Sequence, residues 1–127
     1  MKLLIPIDPK TKKNSQQIIT VNGRHIIVPS SAYKKYEKQA IQYLPTIEPI
    51  KNPVNVKCVY YMQTRRKVDL VNLIECTMDV LVKGGVLEDD NSQIAVSHDG
   101  SRVYYDKENP RTEIEITEVE NDRSNNL

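Results

Sequence analysis

The 127-residue sequence has no tryptophan and no phenylalanine, only two histidines and only two cysteines. Cys58 and Cys76 belong to no CxxC or Cys/His pattern, so neither a disulfide framework nor a thiolate zinc site is indicated. They read as core or surface thiols of a reducing compartment. No apolar stretch approaches the roughly 20 residues of a membrane span. The opening MKLLIPIDPK has too short an apolar run for a secretory signal. The expectation is a cytoplasmic protein with no membrane partner. Without Phe or Trp, seven tyrosines must supply most of the aromatic packing. Internal repeats, low-complexity tracts and domain boundaries are absent as well. The length suits one domain able to bury a core without a staple. That domain is expected over residues 1–120, with a frayed tail over 121–127.

What is present is a charge asymmetry hidden by a net charge of +1. Residues 1–68 carry thirteen Lys or Arg against three acids, and residues 69–127 carry five against fourteen. A basic surface that holds phosphates beside an acidic centre that holds a cation fits this division. Mutual neutralisation of the two halves in the fold fits it equally.

The apolar patterning predicts a short strand at 2–7, with Pro6 at its end. A hairpin follows over QQIITVNGRHIIV, because Asn22-Gly23 tolerates the positive φ of a tight turn. Ser30 or Ser31 caps a helix over about 31–44, with Tyr33, Tyr36, Ala40 and Leu44 on one face. VNVKCVYYM alternates as a strand, with Val54, Val56, Cys58 and Tyr60 inward. A second, largely buried helix spans about 70–83 and stops at Gly84-Gly85. Ile94, Val96 and His98 alternate on a strand that Asp99-Gly100 turns into SRVYY, and TEIEITEV closes the domain. His98 reads as a structural strand residue. The expected fold is α+β: one domain, a mixed and mostly antiparallel sheet packed against two helices.

Chemistry concentrates between Arg65 and Asn91. Asp69, Asn72, Glu75 and Asp79 recur at steps of three, three and four, which gathers them on one side of an otherwise apolar helix. Such a stripe is costly unless it meets a cation, a partner or solvent, and a solvated face is the plain alternative. Asp89 and Asp90 follow on a loop that can return one of them toward the helix start. EDDNSQ does not match a calcium-binding loop, lacking its glycine and closing glutamate. Oxygen ligands without His or Cys favour Mg²⁺, with Mn²⁺ as substitute. Such an ion polarises a phosphodiester and generates hydroxide from bound water. Arg65, Arg66 and Lys67, and the loop carrying Lys10, Lys12, Lys13 and Asn14, are placed to contact DNA phosphates.

The segment VDLVNL…MDVLVKGGVLEDDNSQI resembles the signature of RusA-type Holliday junction resolvases. That signature reads D-L-D-N-L-x-K, then D-x-L, a glycine-containing turn and a D-D pair. The basic loop with Asn14, the capped helix and the closing ITE strand are similar to that family too. The resemblance implies a phage or prophage endonuclease of DNA recombination and repair, a homodimer that binds four-way junctions and cuts them with Mg²⁺. Asp69 matches the first signature aspartate, Asn72 the asparagine, Asp79 the mid-helix aspartate and Asp90 the second of the acidic pair. Val71 stands where the family has its second aspartate, and Glu75 where it has lysine. Positions 71 and 75 are one turn apart, so Glu75 can replace the lost carboxylate. The lysine's role then falls to Lys67 or to a partner subunit. The expected assignment is Asp69, Asp90 and Glu75 as catalytic, these with Asp79 as metal ligands, and Lys12, Lys13, Asn14, Arg65, Arg66, Lys67 and Asn72 on DNA. The alternatives are a catalytically weakened or inactive branched-DNA-binding protein of phage origin, and a phage structural protein whose acidic stripe meets another protein.

Overall fold

The computed structural model describes residues 1–12, 16–29 and 31–119, apart from the side chains of residues 16, 17 and 29. The centre of the fold is β4 (Val54–Met62). Its alternation buries Val54, Val56, Cys58 and Tyr60, each at most 1% exposed, and turns the intervening residues to the other face. β7 (Arg111–Glu118) lies antiparallel beside it, with Thr112, Ile114 and Ile116 buried, and β1 (Lys2–Ile5) extends the sheet antiparallel to β7. β2 (Gln16–Val21) and β3 (Arg24–Pro29) form a separate hairpin through Asn22 and Gly23, both at positive φ. Ile18 and Ile27 on that hairpin are exposed.

The other edge of β4 differs from the sequence expectation. β5 (Ala95–Ser97) and β6 (Arg102–Tyr105) do not turn back on one another; both run parallel to β4, one near its start and one near its end. Between them the chain detours through Gly100, at φ +87°, where a Cβ would sit 3.1 Å from the Lys57 side chain. Side chains replace the interrupted ladder. Asn55 accepts from Ser97 Oγ at 2.6 Å and from the Asp99 amide at 2.7 Å, and Ser101 Oγ accepts from the Cys58 amide at 3.0 Å. His98 Nδ1 donates to the Val56 carbonyl at 2.9 Å, which confirms His98 as structural but places it just past the strand. Val96 faces solvent rather than the core.

Helix α1 (Ser31–Gln42) buries Tyr33, Tyr36 and Ala40. It ends two residues before the expected boundary. Tyr43 and Leu44 continue only as a tightened turn, their amides donating to Ala40 and Ile41. Helix α2 (Leu70–Lys83) buries Leu73, Cys76, Thr77, Met78, Val80 and Leu81. Thr77 Oγ1 donates to the Leu73 carbonyl at 3.0 Å, so the buried Tyr60 hydroxyl, 2.6 Å away, must donate to Thr77. This bond sets the middle of α2 over the C-terminal half of β4. Beyond α2, Val86 and Glu88 bond to Ile50, ahead of β4's start. Helix and strand therefore run antiparallel.

Both cysteines are free and buried. Burial pushes the Cys58 thiol up to about 11. Ellman's reagent at about pH 8 is expected to leave Cys58 unmodified in the native protein and to label it only in denaturant. Rapid native labelling would show that the face of the sheet under α2 opens to solvent. The unfolded thiol loses its proton at lower pH than the folded one, so this group makes stability fall as pH rises through 9 to 11.

Candidate functional site

Asp69 is the N-cap of α2. Its backbone is extended (φ −87°, ψ 120°), and its Oδ1 accepts the Val71 amide at 2.9 Å. The cap uses one carboxylate oxygen and leaves the other exposed at the positive end of the helix dipole. Along α2, Asn72 and Asp79 are half-buried and Glu75 is exposed, so the polar residues share the open side of the helix, as their spacing predicts. Val71, where the family carries its second aspartate, is 69% exposed.

Asp79 is not isolated. Lys12 Nζ meets its Oδ2 at 2.7 Å, and the Lys12 amide donates to Cys76 Sγ at 3.4 Å. The bond to Asp79 holds the Lys12 ammonium above its usual range, against the opposing effect of burial. The first basic loop is thereby tied to the middle of α2. Lys13 and Asn14, its other expected DNA contacts, lie outside the described residues.

At the N-terminal end of α2 a second tie closes a recess. Asp8 Oδ1 accepts the Gln63 amide at 3.0 Å, and its Oδ2 meets Lys10 at 3.4 Å. The recess has a volume of about 100 Å³ and is lined by Asp8, Lys10, Thr64, Arg66 and Lys67 among others. Arg65 stands beside it with its Cζ 4.0 Å from the centre of the Tyr105 ring. Arg65, Arg66 and Lys67 thus gather cationic charge within one turn of Asp69. Tyr105 was not singled out as a site residue from the sequence. The consecutive pair Tyr104-Tyr105 on an alternating strand is the signal that could have found it.

The Asp89-Asp90 loop is elsewhere. The Asp89 carboxylate accepts the Asp90 amide at 2.8 Å and the Asn91 side chain at 3.1 Å, and these bonds hold it below the usual carboxylate range. Asp90 is exposed. The segment that carries it follows Glu88, which is bonded to Ile50 at the C-terminal end of α2. Asp69 caps the opposite end of a 14-residue helix, which at 1.5 Å per residue spans about 20 Å. The loop does not return Asp90 to the helix start. Among the described residues no group of three or more His, Cys, Asp or Glu side chains is placed to hold a metal ion.

The family model described as endodeoxyribonuclease RusA matches residues 6–117. That span takes in both helices, the recess, the acidic pair and every strand except β1, with β7 included up to its last residue but one. No curated protein matches the chain. Among the described residues no helix is long and apolar enough to cross a membrane.

Proposed function

The chain belongs to the RusA family of endodeoxyribonucleases, the Holliday junction resolvase type, and we propose that it cleaves four-way DNA junctions as a homodimer, with Mg²⁺ or Mn²⁺ as cofactor. The observation that carries the dimer is the separation of Asp69 from Asp90 along α2. One ion cannot touch carboxylates placed toward opposite ends of a helix about 20 Å long. Packing α2 antiparallel to its copy across a two-fold axis removes the conflict, because it sets the N-terminal end of each helix against the C-terminal end of the other. Asp69 then approaches Asp90 of the partner subunit. The open side of α2 supports such packing: exposed Val71 and half-buried Ile74 and Val82 offer apolar contact beside Glu75 and Asp79.

In this reading Glu75 supplies the carboxylate lost at Val71, and Asp79, held by Lys12, lines the same groove. Asn72 and the cations Arg65, Arg66 and Lys67 contact the DNA strand entering at the N-terminal end of α2, with Lys12 on the adjoining loop. Selection of junctions over linear duplex comes from shape and phosphate position, since two sites related by a two-fold axis match two opposed strands.

Incubation with a fixed four-way junction and a linear duplex of the same sequence, in Mg²⁺ and in Mn²⁺, tests this function. Paired cuts on opposed strands of the junction alone are expected. Steeply salt-dependent junction binding without cleavage would instead identify a binding protein whose Val71 and Glu75 have removed the chemistry. Absence of any salt-sensitive DNA binding would refute the reading altogether.

A further inference from the structure

Two arginines lie on tyrosine rings at the same end of the sheet, and their hydrogen bonding separates them. Arg111 Cζ is 3.7 Å from the centre of Tyr61. Its Nε donates to Glu113 at 2.9 Å, and its Nη1 donates to Asp106 at 3.0 Å and to the Asn109 carbonyl at 2.8 Å. Two carboxylates neutralise that guanidinium, so it is a structural clasp at the start of β7. Arg65 sits at nearly the same distance from Tyr105, yet no ion pair with a carboxylate forms there among the described residues. An arginine laid on an aromatic face keeps its five in-plane N–H donors available, and ring attraction restrains the otherwise loose side chain.

The platform itself is fixed. Tyr105 ends β6 in register with Met62 of β4, and the next amide, that of Asp106, donates to the Met62 carbonyl at 2.8 Å. The chain runs from Met62 through only two residues to Arg65, and from there through three to the Asp69 cap. We infer that Arg65, seated on Tyr105, is a phosphodiester-binding residue that grips the DNA backbone next to the Asp69 end of α2, with Tyr105 as its positioning residue. The in-plane fork of a restrained guanidinium matches two oxygens of one phosphate, which a lysine ammonium cannot do. Tyr105 is 38% exposed, so replacing it removes the platform without opening the core. This inference rests on the DNA-binding reading above.

The test is the salt dependence of four-way-junction binding by the full chain in Ca²⁺, with thermal melting to verify that each variant folds. Tyr105→Leu is expected to weaken binding about threefold to tenfold and to lower the slope of log affinity on log salt by up to about one. Tyr105→Phe keeps both at wild-type values. Arg65→Lys behaves like Tyr105→Leu, and adding Tyr105→Leu to Arg65→Ala brings no further loss. Tyr61→Leu, which unseats the neutralised Arg111, leaves the slope unchanged. Wild-type affinity and slope in Tyr105→Leu, or additive losses in the double variant, would overturn the inference while leaving junction binding intact. A wild-type protein with no salt-dependent junction binding would instead refute the functional reading on which it rests.

Discussion

Asp69→Asn and Asp90→Asn are each expected to lower junction cleavage by more than about 100-fold, beyond the loss typical of removing a supporting residue around a metal, and an equimolar mixture of the two inactive proteins is expected to recover cleavage. Neither loss can be blamed on folding. Asparagine caps a helix about as well as aspartate, so the bond to the Val71 amide survives the first change. Asp90 is exposed, which spares the core from the second. The recovery follows from a site shared across a two-fold axis. In a mixed dimer, one site receives both asparagines and the other receives both native aspartates. Random exchange makes half of the dimers mixed, so the mixture regains about a quarter of the wild-type sites. Each mixed dimer cuts only one strand, and the product is a nicked junction rather than two resolved duplexes. Isothermal titration with Mn²⁺ reads the same quarter without reference to cleavage. If exchange of subunits is demonstrated and the mixture remains inactive, the shared site is wrong. Full activity in either single variant removes that residue from the site.

Leu81→Ala is expected to destabilise the protein by about 2–5 kcal/mol, the range for truncating a fully buried leucine, lowering the melting temperature by roughly 10 °C or more. Leu81 has no exposed surface, and its carbonyl accepts the amides of Val86 and Leu87 at 2.9 and 3.2 Å. It therefore holds both the end of α2 on the sheet and the start of the segment leading to Asp90. Leu81→Met, which nearly conserves volume, costs less than about 1.5 kcal/mol. Val71→Ala, on the exposed side of the same helix, stays within about 0.5 kcal/mol at concentrations where the chain is monomeric. Urea unfolding monitored by far-UV circular dichroism checks all three. A Leu81→Ala cost below about 1 kcal/mol would mean that α2 is not bedded on the sheet as described.

The elements whose periodicity is strict were legible in the amino-acid order. β4 alternates at four consecutive inward positions, α2 carries apolar residues at helical spacing up to a double glycine, and Asn22-Gly23 admits one kind of turn. Each is decided by neighbours within a few residues. The pairing of β5 and β6 was not legible, because Asp99-Gly100 is an equally good turn whether the chain folds back or detours. The choice is made by Asn55, Val56 and Cys58, more than forty residues earlier, whose polar groups bond across the detour.

The same division applies to the site. Sequence alone determined which residues are chemically able to act: the carboxylates at 69, 75, 79 and 90, the cations at 65–67, and the exchange of aspartate and lysine for Val71 and Glu75. Spacing places Asp69, Glu75 and Asp79 on one helix side because helical geometry is local. Only the tertiary structure decided that Asp90 lies at the far end of that helix, since α2 is antiparallel to β4 and the loop after it is bonded to Ile50. Arg111 is neutralised by carboxylates near it in sequence, Asp106 and Glu113. Only the tertiary structure decided that Arg65 lies on the Tyr105 ring, forty residues away, where no carboxylate among the described residues pairs with it.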